Sequence, residues 1–226
     1  MTLIICAIKP EIKPFLKALR NFRIEKNKSQ KVYYGTINNK KVLVVRCGVG
    51  LKKAAAVTQL MIDDYKVERI IMSGTAGGVD NKLKIGDTVV SEEILYHETD
   101  SRTMEDIAAG SENQIFKADT ELLLSTKKAA EIDPTVQSVF FGRITSGNKF
   151  VSGKNLRVVA EKFKSLCLDM ETAAVAHVCS LNNIPFIAIR SISDTVGKSG
   201  FLTFFKNVNL ASKSSFLVVE KLLCEL

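Results

Sequence analysis

The sequence predicts an α/β fold, a central mixed β-sheet that is largely buried and flanked by helices. Two patterns carry this. Short apolar runs of strand length alternate with stretches whose apolar residues recur at helical spacing. Glycine clusters, Gly48-Val49-Gly50 and Gly74-Thr75-Ala76-Gly77-Gly78, punctuate that alternation. With 226 residues and 46% hydrophobic composition the chain can bury one sizeable core. No repeat or low-complexity linker marks a second, so residues 1–226 are expected to form a single domain.

Residues 2–8 read as a buried strand, and Pro10 suits the first turn of a helix carrying Ile12, Phe15, Leu16 and Leu19 on one stripe. Val32 to Ile37 and Val42 to Arg46 form a hairpin around Asn38-Asn39, residues that tolerate a turn's backbone angles. Gly48-Val49-Gly50 opens an alanine-rich helix over 51–65, and a strand follows over Arg69 to Met72. Thr88 to Tyr96 is the next strand, and the polar stretch 98–117 reads as a long loop. A helix over 119–131 leads through Pro134 to a strand from Val136 to Thr145. Helices from near Ser152 and over 169–182, a strand over Pro185 to Ser191, and a helix from Phe204 to Leu226 complete the chain.

Several function classes drop out on composition. The net charge of +8 comes from scattered lysines without interleaved aromatic rings, which predicts a solvated basic surface and no nucleic-acid partner. Cys6, Cys47, Cys167, Cys179 and Cys224 are odd in number and widely spaced among apolar neighbours, as reduced thiols of a cytoplasmic protein would be. No Cys-x-x-Cys pair occurs, and His97 and His177 stand far apart, so no metal is expected. The N-terminal apolar run has no basic leader and reads as a strand rather than a targeting peptide. No apolar stretch approaches the ~20 residues of a membrane helix, so a soluble protein is expected.

The residues with chemical potential are carboxylates at element ends: Glu11, Glu171 and Asp194. Each also has an ordinary structural reading. Glu11 suits the first turn of its helix, where negative charge favours the dipole, and Asp194 could cap a turn with Thr195. Glu171 follows Asp169 at a helix start, where two acids are common. The glycine clusters match neither a phosphate loop nor a dinucleotide fingerprint, and separately each reads as turn glycine.

In order along the chain, however, Ala7-Ile8-Lys9-Pro10-Glu11, Gly48-Val49-Gly50, Ser73-Gly74-Thr75-Ala76-Gly77-Gly78, Leu83-Lys84-Ile85-Gly86-Asp87, Ser146-Gly147-Asn148-Lys149-Phe150-Val151, Asp169-Met170-Glu171-Thr172-Ala173-Ala174 and Arg190-Ser191-Ile192-Ser193-Asp194 resemble the signature runs of the purine nucleosidase and nucleoside phosphorylase family. Within that family the pattern is most similar to the 5′-methylthioadenosine/S-adenosylhomocysteine nucleosidases. The resemblance implies a nucleoside phosphorylase-like fold, a small-molecule nucleoside substrate, a cytoplasmic homodimer, and an N-glycosidic bond broken by water to release adenine and a 5-thioribose. It implies that Glu11 holds and deprotonates the water, that Glu171 takes hydrogen bonds from the ribose hydroxyls, and that Asp194 gives a proton toward N7 of adenine. No cofactor is expected, because carboxyl groups and water suffice for the chemistry that the resemblance implies. Phe150 is expected to stack on the adenine and the Val151 backbone to bond its edge; Met170 to lie beneath the ribose; Thr75 and Ala76 to line the base and sugar side; Val49 and Phe204 to form the 5′-alkylthio slot; and Ile8 to contact the substrate. Arg190 is expected to orient Asp194 or nearby backbone.

The chain departs from the family pattern in two places. Lys9-Pro10 precedes Glu11 where a run of acids is usual, and Ser101-Arg102 are polar in a loop that normally supplies apolar residues to the 5′ pocket. The second departure suits a charged 5′ group, such as a homocysteine carboxylate or an aminofutalosine side chain, or else a loop in which Arg102 faces solvent. Met72-Ser73 stand where the family's phosphorylases carry a phosphate-holding arginine, leaving Arg46 and Arg102 as replacements in a phosphorylase reading. A nucleoside-binding protein without turnover is the alternative of a different class; the presence of all three carboxylates argues against it.

Overall fold

A computed structural model describes residues 1–97, 115–132, 138–151, 154–196 and 200–226. Its strands are β1 (Thr2–Cys6), β2 (Arg20–Asn27), β3 (Gln30–Ile37), β4 (Lys40–Arg46), β5 (Arg69–Gly78), β6 (Thr88–Tyr96), β7 (Phe116–Lys117), β8 (Val139–Ser146), β9 (Cys167–Asp169) and β10 (Phe186–Thr195). Its helices are α1 (Lys9–Ala18), α2 (Leu51–Asp64), α3 (Thr120–Ile132), α4 (Lys154–Phe163), α5 (Thr172–Leu181) and α6 (Phe201–Glu225).

All the strands join one mixed sheet. The parallel triplet β4, β1, β5 is its spine, buried except near the ends of β4 and β5, and apolar runs such as Leu3-Ile4-Ile5 and Val42-Leu43-Val44-Val45 fill it on both faces. Asn38 and Asn39 both have positive φ (49° and 62°), the turn that closes the β3 and β4 hairpin the sequence predicts. Beyond β3 lies β2, whose polar Arg-Asn-Phe-Arg-Ile-Glu-Lys-Asn run carries no apolar alternation and is exposed almost throughout. It forms because β3 offers a free edge, and its charges guard the edge it then presents.

On the other side the sheet closes on itself. β5 pairs with β10, β10 with β6, β6 with β8, β8 with β9, and β9 returns to the end of β5 at Gly77 and Gly78. Along one edge, β5 therefore leaves β1 after Met72 and meets β9 only at Gly77. Between these points its backbone at Ser73 to Ala76 is free to bond side chains, and the sheet opens there into a crevice of the kind where α/β proteins bind ligands.

Helices cover both faces. α2 and α5 pack together on one, while α1, α3 and α6 pack on the other, with Phe15 and Phe216 in edge contact at 5.0 Å. Several boundaries differ from the sequence expectation, four of them at the crevice. β5 runs on through Gly78 and β10 through Thr195, because each supplies the other's ladder. The helix expected over 169–182 begins at Thr172, its first residues being taken by β9, and the last helix starts at Phe201. Within the stretch expected as loop, Phe116–Lys117 pairs with β6; the rest, including Ser101 and Arg102, lies outside the described residues.

Candidate active site

The crevice at the end of β5 deepens into a cavity of about 510 Å³. Glu11 forms one wall. It sits at the third position of α1, buried, and reaches back over the helix start. Its Oε2 accepts from the Ala7 and Ile8 amides at 2.8 and 3.1 Å. Its Oε1 accepts from the Thr75 amide and the Thr75 hydroxyl, both at 2.9 Å, and the amide belongs to the open stretch of β5. Glu11 thus bonds its own helix start and the sheet, a role no isolated first-turn acid has.

Arg190 stands behind this wall, fully buried in β10. Its Nε lies 2.6 Å from Asp169 Oδ2 and donates to Thr172 Oγ1 at 3.0 Å, and its Nη2 donates to Glu171 Oε2 at 3.4 Å. Arg190 therefore orients Asp169 and Glu171, not Asp194 as the sequence suggested. Asp169 anchors the group: its Oδ1 accepts from Ser146 Oγ at 2.5 Å and from the Glu171 and Thr172 amides, while Oδ2 also takes the Thr172 hydroxyl. These bonds set the start of α5 and hold Glu171 at its N-cap, where Glu171 Oε1 takes the Gly50 amide at 2.9 Å. Burial, with the Asp169 and Glu11 carboxylates adding and Arg190 opposing, pushes Glu171 up to about 7.

Arg190 Nη1 is buried with no partner among the described residues. A Cβ on Gly74 would overlap it and would stand 2.7 Å from Glu11 Oε1. Only glycine fits there, so that a guanidinium N–H and a carboxylate can converge over bare backbone.

Asp194, from β10, also lines the cavity. A register shift in β10 after Ile192 sets Asp194 opposite Gly77, so the bulge re-aims the carboxyl at the cavity. Burial pushes it up to about 6, against bonds from the Ser193 hydroxyl (2.9 Å) and the Gly200 amide. Beside it Phe150 lies stacked with Phe201, centroids 4.4 Å apart and planes 17° apart, and stands at 78° to Phe204.

Every residue the sequence nominated lines this cavity: Glu11, Glu171 and Asp194; Met170, Phe150 and Val151; Thr75 and Ala76; Ile8, Val49 and Phe204. Sequence reasoning missed Phe201, Phe205 and Val208, which join Phe204 on α6, and the anchoring role of Asp169. One signal was available for Asp169: a lone arginine inside the apolar run Phe-Ile-Ala-Ile-Arg-Ser-Ile requires a buried acid.

Comparison with known proteins bears on this arrangement. The model of the phosphorylase superfamily matches residues 2–223. The chain belongs to the phosphorylase superfamily. Among its relatives, the 5′-methylthioadenosine/S-adenosylhomocysteine nucleosidase of Psychromonas ingrahamii is 31% identical over 97% of this chain and 96% of its own length. That of Bacillus cytotoxicus is 31% identical over 99% of this chain and 98% of its own. Among solved structures, a putative enzyme of the same name from Borrelia burgdorferi, bound to adenine, superposes with a TM-score of 0.91 at 33% identity, covering all of both chains. The Neisseria meningitidis nucleosidase in complex with methylthio-immucillin-A superposes with a TM-score of 0.91 at 26% identity, covering 100% of this chain and 99% of that one. Helicobacter pylori futalosine hydrolase shares the superfamily fold at 24% identity, with a TM-score of 0.89 over 100% of this chain and 97% of that one.

Proposed function

We propose that the 226 residues act as one catalytic domain that hydrolyses the N-glycosidic bond of 5′-methylthioadenosine and S-adenosylhomocysteine, releasing adenine and the 5-thioribose product. The observation that carries this is the division of labour across the cavity. One carboxyl, Asp194, is held up to about 6 beside an aromatic ring. In the same cavity two carboxylates, Glu11 and Glu171, flank a buried guanidinium.

Bond cleavage leaves positive charge on the sugar and an electron pair on the base. Asp194 in its acid form donates to N7 as the bond breaks, and Phe150 holds the purine plane against it. Glu171 accepts the ribose hydroxyls and favours the cationic sugar. Water attacks from the Glu11 side, held by the Glu11 carboxylate, and Glu11 takes its proton. Met170 packs beneath the ribose, and Ile8, Val49 and Phe204 take the 5′-alkylthio group.

Water rather than phosphate is the nucleophile on this reading. No arginine is among the described residues lining the cavity; Arg190 is engaged by two carboxylates, and Arg46 opens onto a separate groove with Lys9, Lys13 and Lys31. The rate of adenine release from 5′-methylthioadenosine tests this directly. It is expected to be the same without phosphate and with saturating phosphate; release that requires phosphate would make the chain a phosphorylase.

We also propose a cytoplasmic homodimer, on the family resemblance and on the exposed apolar Val49, Phe201, Leu202 and Phe205 on and beside the cavity's rim. Light scattering that gives a monomer mass at micromolar concentration would refute the dimer. Among the described residues no helix is long and apolar enough to cross a membrane.

A further inference from the structure

We propose that Phe201 is a positioning residue for the purine: it backs Phe150 and, through the first turn of α6, ties the aromatic platform to the acid Asp194. The proposal rests on the reading of the cavity as an adenine site.

Phe150 has two ring faces. Phe201 covers one at 4.4 Å and 17°; it is 61% exposed and stands at the cavity's edge. Phe150 is half-buried and lines the cavity, and its other face is left for a base. The resulting order is Phe201, Phe150, purine. Aromatic stacking accounts for the spacing of the first two layers, and the backing ring restrains the tilt of the middle one.

The same turn also grips the acid. Gly200, next to Phe201 and with φ +116°, donates its amide to Asp194. Nearly two turns on, Asn207 Nδ2 donates to the Ser193 carbonyl at 3.1 Å and to the Thr203 carbonyl at 2.9 Å. The proton donor and the stacking ring come from β10 and from the segment after β8, which are not neighbours in the sheet. Consecutive residues at the start of α6 therefore fix them relative to each other. A side chain that merely covered apolar surface would need no parallel stacking, and Leu202 beside it, 89% exposed, covers none.

The test is adenine affinity by calorimetry, together with kcat and KM for 5′-methylthioadenosine, on the full chain. Phe201→Ala is expected to weaken adenine and raise KM about 2- to 10-fold, the usual worth of one aromatic pair, with a smaller change in kcat. Phe201→Tyr restores wild-type values and Phe201→Leu does not. In a Phe150→Ala background Phe201→Ala adds no further loss, because its effect passes through that ring. Unchanged or tighter adenine binding in Phe201→Ala overturns the proposal, as does a loss that adds in full to that of Phe150→Ala. If the wild-type chain neither binds adenine nor releases it, the functional reading fails and the proposal with it; wild-type binding matched by Phe201→Ala fails the proposal alone.

Discussion

Replacing Asp194 with asparagine should destroy activity and stabilise the fold. The carboxyl is 2% exposed, and burial lifts it from an ordinary value of 3.8 to about 6. Between those values the folded chain holds a proton that the unfolded chain has released, so stability falls as pH rises through the window of about 4 to 6. A shift of roughly two units corresponds to about 3 kcal/mol, fully absent below pH 4 and fully imposed above pH 6. The asparagine amide carries no charge and keeps an oxygen to accept from Ser193 and Gly200, so Asp194→Asn removes most of that penalty. For a chain of this size about 3 kcal/mol is worth up to roughly 6 to 12 °C in Tm. Thermal unfolding of both proteins from pH 4 to 8, beside adenine-release assays, measures both halves. The variant is expected to melt higher at pH 7.5, to lose that advantage toward pH 4, and to turn over about 10²- to 10⁴-fold more slowly as a general acid is lost. A variant less stable at pH 7.5, or one whose advantage ignores pH, would refute the reasoning.

The pH profile of kcat/KM should be a bell peaking between about 6 and 7, since Asp194 must be protonated and Glu171 ionised; a rate flat from pH 5 to 8 removes Asp194 as proton donor. Arg190→Met leaves Asp169 and Glu171 buried without their counter-charge and should cost about 3 to 5 kcal/mol in urea unfolding; a loss below 1 kcal/mol would mean that Ser146, Thr172 and Gly50 suffice to hold the pair. Gly74→Ala places a methyl within 3 Å of both Arg190 and Glu11, so it should abolish turnover even where the chain still folds; wild-type kcat/KM in a folded Gly74→Ala chain would show that the two groups need not converge there.

The spine of the fold was readable because β1, β4 and β5 are buried on both faces, and such strands appear in sequence as unbroken apolar runs. The hairpin at Asn38-Asn39 was readable because its turn demands residues that accept positive φ. β2 was not, since a charged edge strand takes its structure from the neighbour it pairs with. β9 was hidden for a similar reason: three residues, Cys167–Asp169, become a strand only between β8 and the end of β5. Among the site residues, Glu11, Glu171 and Asp194 stood out as acids in ordered motifs. Their hydrogen-bond partners did not, because these depend on which distant segments fold against each carboxylate.

The sequence by itself determined the alternation of elements and the buried sheet, which follow from local periodicity and residue type, while the site residues were nominated by the family resemblance of its ordered motifs. Only the tertiary structure decided that Arg190 serves Asp169 and Glu171 rather than Asp194, that the strands from β5 to β10 close into a ring, and that the start of α6 holds both acid and ring. Those facts depend on contacts between segments far apart in the chain, and a linear pattern carries no information about which distant charge a buried side chain will meet.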